Sequence, residues 1–273
     1  VLNIKRILFL LSIFTLIAIA KALIQRYIGF DAGENAWLIR SESYKTHLLP
    51  SGIRYFSIFS DAGNFGSNMG MAAVVFMILS FYMSNKKLRY YYRFVSLLAA
   101  YGLIMSGTRG AMIVPLGGLA MFILLNKNIR YIVGGAICLL FIYIFFAQTH
   151  IWDSNRQIHR MRTAFHPEKD ASYLLRKANQ KRLAEYMVHK PFGEGVGLAG
   201  IEGRRFSHRF TTEVPTDSHY VNIWVQFGIV GLCLHIVILL FIITYSAYLI
   251  MFRIRNRELK GMLIAMNGGL WAV

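Results

Sequence analysis

The chain has 273 residues, of which 56% are hydrophobic, and a mean hydropathy of +0.46. That is too apolar for an ordinary water-soluble domain of this size, so the chain reads as an all-α, polytopic membrane protein. A formal net charge of +17 would suggest nucleic acid in a soluble protein. Here much of the basic charge lies in short clusters between apolar runs, which is a topology signal and excludes a nucleic-acid partner as the first explanation.

The first apolar segment, about residues 4–23, follows Lys5 and Arg6 and imitates a signal peptide, but no small-residue cleavage site precedes a soluble domain. An irregular stretch, 24–64, leads to a second span at about 65–84. The cluster N-K-K-L-R-Y-Y-Y-R (85–93) reads as a cytoplasmic connection with its tyrosines at the interface. A third span is expected at about 94–106, and Thr108 and Arg109 turn the chain into a fourth at 110–125. The basic N-K-N-I-R (126–130) precedes a fifth span, 131–147, and a long loop, 148–217. The sixth element, 220–252, would be about 50 Å long as one helix, against a hydrocarbon core of about 30 Å, so its first turns should project beyond the lipid. F-R-I-R-N-R-E-L-K (252–260) closes it on the cytoplasmic side, and the apolar run after it, 261–273, is too short to span.

The expected architecture is therefore about six spans plus a truncated one. Residues 1–273 form a single membrane domain in which 148–217 is an extracytoplasmic loop. The start on Val1 and the stop inside an apolar run read as a fragment of a longer chain. Within the loop, 171–189 is expected to be helical, with Leu174, Leu175, Ala178, Leu183, Tyr186 and Met187 on one face, Asp170 as cap and Pro191 as stop. Such a helix lies on the membrane surface or covers the site. Cys138 and Cys233 fall in apolar runs and indicate neither a disulfide framework nor a zinc site.

Polar chemistry concentrates where the loop re-enters the membrane, at P-T-D-S-H-Y-V-N-I-W-V-Q-F-G-I-V-G (215–231). His219, Asn222 and Gln226 recur at i, i+3 and i+7, a polar stripe that in a membrane helix faces a water-filled cavity or the protein interior. The structural alternative is that Asp217 or Ser218 caps a helix and the stripe packs against neighbours. Arg109 stands at a predicted helix start, where the macrodipole disfavours a cation unless an anion is near. With the hydroxyls of Ser106 and Thr108 it forms a candidate diphosphate cradle; the alternative is an arginine snorkelling to head groups. Gly195–Gly200 satisfies G-x-G-x-x-G, but no strand precedes it, so its glycines serve backbone turning. Arg204, Arg205, His208 and Arg209 make a basic cluster that is either solvated or holds pyrophosphate or acidic sugars. His150, His159, His166 and His189 lack metal-site spacing, and neither a P-loop nor a serine nucleophile elbow is present, so no metal and no cofactor are expected.

Taken together, A-L-I-Q-R-Y-I-G-F (22–30), G-I-R-Y-F-S-I-F-S-D-A-G-N-F-G (52–66), S-G-T-R-G-A (106–111), H-K-P-F-G-E-G-V-G (189–197) and the junction resemble the O-antigen ligase and polymerase superfamily of bacterial membrane proteins. The resemblance covers nearly the whole chain. Ligases of that superfamily carry His-Asn or His-Ser eleven residues before G-x-x-G; counting back from Gly228 lands on Asp217 and Ser218, which look more like the Wzy-type repeat-unit polymerases. The resemblance implies an inner-membrane glycosyltransferase, its site facing the periplasm or cell exterior, acting on a polyprenyl-diphosphate-linked oligosaccharide. Membrane lipids and a chain-length regulator would be its partners. Arg109 and Arg54 would hold diphosphate, with Ser106, Thr108, Arg204, Arg205, Arg209 and Asn222 binding substrate and Asp217 or His219 handling the acceptor proton. The rivals are a ligase that transfers glycan to a lipid core and a non-enzymatic carrier or channel for anionic solutes.

Overall fold

A computed structural model describes residues 2–49, 52–125, 129–149, 151, 158–159, 162 and 171–272. The expected cap Asp170 and the histidines His150 and His166 lie outside them. The fold is almost wholly helical, and the chain packs as two compact units, Val1–Phe165 with Ser246–Val273, and His166–Tyr245.

In the first unit, α1 (Leu2–Tyr27) is followed by α2 (Ala32–Arg40) and α3 (Tyr44–His47), where the sequence reading expected irregular chain. Asp31 starts α2 with a capping box: its carboxylate accepts from the Glu34 N–H while the Glu34 carboxylate accepts from the Asp31 N–H. A two-rung antiparallel ribbon, β1 (Leu48–Leu49) with β2 (Gly52–Ile53), interrupts the all-α pattern. Asp61 then caps α4 (Ala62–Tyr82), the central helix, which packs against α5 (Lys86–Ser106), α6 (Ile113–Leu125) and the last helix, α11 (Arg257–Ala272). Phe65, Phe76, Val95, Ala99, Met105 and Met262 are buried in the resulting core.

Two expectations change here. The basic cluster at 85–93 is not a connection but the first turns of α5: the Asn85 side chain accepts from the Lys87 N–H and starts the helix ahead of the apolar run. Tyr92 is buried within the protein, its ring stacked on Phe76 with centroids 5.6 Å apart, while Tyr90 is exposed. At Arg109 the chain makes a 3-10 turn, Arg109–Met112, and the α-helix begins only at Ile113. Beyond α6, α7 (Ile129–Tyr143) ends in a π turn, Ile144–Gln148.

The second unit contains α8 (Ala171–Met187), a short α9 (Phe210–Glu213) and most of α10 (His219–Tyr248), whose last residues and the π turn that follows, Leu249–Arg253, belong to the first unit. α8 spans the expected residues, but its inward stripe is Asn179, Leu183 and Met187; Leu174 and Leu175 are exposed. Leu183 joins Ala199, Val214 and Val225 in a small core with Phe210, Val221 and Trp224 against it.

The sixth element is not one straight rod. At Gly228 the backbone leaves the helix (φ 66°, ψ −170°). Residues 219 and 235 would be about 24 Å apart along a straight helix, yet the His219 and His235 rings have centroids 5.5 Å apart, so the two arms fold back on one another. The arm after the break, 229–253, measures about 37 Å at 1.5 Å per residue, enough to cross the hydrocarbon core by itself. Among the described residues three helices are long and apolar enough to cross a membrane: Asn3–Tyr27, Ala62–Tyr82 and His219–Arg253.

Candidate functional site

Sequence-predicted site residues fall into two groups, one in each unit. In the first unit α5 ends at Gly107, whose left-handed backbone (φ 57°) turns the chain into Thr108 and Arg109. Ser106 is fully buried: its hydroxyl donates to the Leu103 carbonyl at 2.7 Å and accepts from the Thr108 N–H at 3.1 Å. A cradle using the Ser106 hydroxyl is therefore not what forms; that hydroxyl shapes the turn. The Thr108 hydroxyl donates to the Ala62 carbonyl at 3.0 Å and accepts from Arg54 Nη2 at 2.8 Å, while Arg54 Nη1 donates to the Thr46 carbonyl at 3.1 Å. Arg54 and Thr108, 54 residues apart in the chain, are thus joined at the start of α4. Arg109, half-buried, opens the 3-10 turn beside them, so the α-helical N-terminus expected at this point lies four residues further on.

His47 supports this corner. Its Nδ1 pairs with the Ser43 carbonyl at 2.8 Å and its Nε2 accepts from the Ala62 N–H at 3.3 Å, which requires the neutral ring with its proton on Nδ1. Burial holds its pKa below the usual histidine value, helped by the nearby Arg54 and opposed by the Ser43 hydrogen bond and Asp61.

In the second unit the glycine-rich loop and the broken helix lock together. A break at Gly228 frees helical carbonyls and N–H groups that need new partners. The Glu194 N–H donates to the Val225 carbonyl at 2.9 Å, the Gly195 N–H to the Gln226 carbonyl at 3.0 Å, and the Val230 N–H to the Pro191 carbonyl at 3.2 Å. Only glycine fits at the two contact points: a Cβ on Gly228 would stand 2.0 Å from the Pro191 oxygen, and one on Gly193 would stand 2.4 Å from the Gln226 oxygen. Gln226 accepts from the Gly197 N–H at 2.9 Å and donates to Asn222, so these two members of the polar stripe hold the loop.

The basic cluster divides. Arg209 Nη1 donates to Glu194 Oε2 at 2.7 Å, and Lys190 pairs with the other oxygen of the same buried carboxylate. Burial raises the Glu194 pKa, but Lys190, Arg209 and Tyr186 outweigh it and the carboxyl titrates below its usual range. Arg204 donates to the Thr212 and Glu213 carbonyls and braces the loop, while Arg205 is exposed with Glu202 at 3.6 Å. The sequence does not mark the buried Glu194 clamp, because a carboxylate three residues after a proline carries no pattern of its own.

At the mouth of α10 the Ser218 carbonyl accepts from the Asn222 N–H at 2.9 Å and so closes the first helical turn. Asp217 precedes it in the left-handed region (φ 51°), uncommon for a residue other than glycine, with its carboxylate exposed and Asn179 Nδ2 at 3.5 Å. His219 is also exposed. A strained, solvent-facing carboxylate followed two residues later by an imidazole can accept a proton from a hydroxyl and hold it.

The profile of the O-antigen ligase family matches residues 94–236, more than half of the chain, a stretch that includes Thr108, Arg109, the loop at 189–197, Asp217, His219 and the Gly228 break. No curated protein and no solved structure matches the chain.

Proposed function

The chain belongs to the O-antigen ligase family, and we propose that it is a membrane glycosyltransferase that polymerises polyprenyl-diphosphate-linked oligosaccharide repeat units into O-antigen or another surface polysaccharide. The observation that carries this reading is the exposed Asp217 carboxylate, in left-handed backbone at the mouth of the broken helix, at the position where the resemblance to ligases implies histidine. A hydroxyl of the acceptor sugar attacks the anomeric carbon, a new C–O bond forms, and the bond to the diphosphate breaks with its electron pair leaving on phosphate. Asp217 or His219 takes the hydroxyl proton. Arg109 and Arg54 bind diphosphate through charge-assisted hydrogen bonds, and Arg205, the most open of the loop arginines, meets acidic groups of the glycan. Asn222 and Arg204 contribute by shaping the loop.

Orientation belongs to the same proposal. Residues 85–93 face the cytoplasm and α8 faces the periplasm or exterior, so in intact cells, with Cys138 and Cys233 replaced, an impermeant thiol reagent labels Lys177→Cys and spares Lys87→Cys. Labelling of the second position would reverse the orientation. The functional test is the surface glycan of a strain lacking the protein. Loss of a polymerase leaves lipid core capped by single repeat units; loss of a ligase leaves bare core, with finished polymer retained on the polyprenyl lipid. The polymerase reading predicts the first pattern, restored to a full ladder by the wild type and not by the double variant Asp217→Asn with His219→Gln. The second pattern would replace it with the ligase reading.

A further inference from the structure

We propose that His235, on the membrane-crossing arm of α10, is the positioning residue for His219 in the acceptor-proton step. The inference rests on the glycosyl-transfer reading and deepens it. In the linear sequence His235 lies inside an apolar run, I-V-G-L-C-L-H-I-V-I-L-L (229–240), with no polar residue at helical spacing to explain it. An ionisable side chain in such a run is costly unless it serves a site. The break at Gly228 supplies the explanation, because folding the arms together brings the His235 ring to 5.5 Å from the His219 ring, at an interplanar angle of 68°. Tyr220 closes the group, its ring 6.1 Å from His219 and 6.3 Å from His235.

His235 Nε2 is buried and has no hydrogen-bond partner among the described residues. A buried imidazole nitrogen left unpaired is unfavourable and calls for an explanation. From this centroid spacing a modest ring rotation brings nitrogen to nitrogen at about 3 Å, an ordinary hydrogen-bond distance. His235 then accepts, through Nε2, the ring N–H of His219. That bond fixes the tautomer of His219 and turns its second nitrogen, as an acceptor, toward solvent and the incoming sugar. This is the arrangement of base and orienting group that nucleophile activation uses. As the acceptor C–O bond forms and the bond to diphosphate breaks, the hydroxyl proton moves to that second nitrogen, and the charge on His219 is shared with His235 through the hydrogen bond. Asp217 faces the same mouth, with Asn179 at the limit of hydrogen-bond distance as its neighbour, so the geometry points to His219 as the group with a dedicated orienter.

The test uses the full-length protein in membranes, supplied with lipid-linked repeat unit extracted from cells that lack it, with variants compared at matched protein level. His235→Leu suits an apolar span, so insertion is retained. It should lower kcat about 10- to 100-fold, part of what a positioned base contributes, with KM changed by less than about twofold. His235→Gln, whose side-chain amide reaches the place of Nε2, should recover most of the rate, and His235→Asn, which is too short, should not. In a His219→Gln background His235→Leu should cause no further loss, because an orienter has nothing left to orient. A wild-type rate in His235→Leu overturns the proposal, as does an undiminished loss in the His219→Gln background. If His219→Gln is silent while Asp217→Asn abolishes polymer, the proposal falls and the polymerase reading stands. If both are silent, the placement of the site at this junction falls with it.

Discussion

The two polar regions of this molecule use the same kinds of residue in opposite ways. Around Thr108 the polar side chains bond inward: Ser106 bonds within its own turn, Thr108 ties Arg54 to the start of α4, and His47 accepts from the Ala62 N–H. Around Gly228 the backbone is equally well satisfied, through Pro191, Glu194 and Gly195, but the side chains at the mouth, Asp217 and His219, face outward. In the first region hydroxyls set the shape of the turn, with a half-buried arginine beside them; in the second, backbone groups set the shape and two titratable side chains stay exposed. A hydroxyl near an arginine in sequence is therefore weaker support for a binding site than a polar residue released by a helix break.

The largest expected effect comes from breaking the second region at its pivot. Gly228→Ala places a methyl group 2.0 Å from the Pro191 oxygen and forces alanine into a backbone region almost confined to glycine (φ 66°, ψ −170°), at a cost of about 1–3 kcal/mol by itself. The loop should detach and polymer should be lost. Gly195→Ala, also at positive φ but meeting only Leu198 at 3.5 Å, should keep polymer with a modest loss of stability. Proteolysis of the 189–197 loop in membranes, alongside the glycan ladder, measures both, and equal behaviour of the two variants would dissolve the interlock.

In the first region Arg109→Lys should reduce the rate about tenfold or more, because an ammonium keeps charge but cannot reproduce the paired hydrogen bonds of a guanidinium on phosphate oxygens. A wild-type ladder would mark Arg109 as a head-group anchor. Thr108→Val should destabilise the protein by about 1–3 kcal/mol, since the Ala62 carbonyl loses its donor and Arg54 its acceptor. Thr108→Ser should restore stability, as read by thermal unfolding in detergent.

A smaller effect is expected from Glu194→Gln. Lys190 and Arg209 lose their shared carboxylate but both retain access to water, so a cost of about 1–2 kcal/mol is expected, concentrated in loop protection from proteolysis. The smallest concerns pH and His47. Its folded pKa lies below the unfolded value, so its contribution is complete above about pH 6.5 and is lost as pH falls through the folded value, when protonation removes the lone pair that accepts from Ala62. Thermal midpoints at pH 7.5 and 5.5 should differ more in the wild type than in His47→Gln.

Composition and apolar periodicity determined the class of the protein. The helices at 2–27, 62–82 and 171–187 lie within a few residues of their expected positions, because burial or lipid exposure of long apolar or amphipathic runs is a local property. The family could be read from short motifs that survive in order, and the profile match at 94–236 places the chain in it. Tertiary structure decided what those motifs do. Whether residues 219–252 form a rod or a hairpin depends on whether a distant loop supplies partners for the groups freed at Gly228, and a one-dimensional pattern does not contain that partner. The same holds for His235, which the sequence places in an apolar run and the fold places beside His219. Ser106 and Arg209 differ in the same way from what their residue types suggest, since a hydroxyl or guanidinium binds whichever acceptor packing brings nearest, and here those are the Leu103 carbonyl and the Glu194 carboxylate.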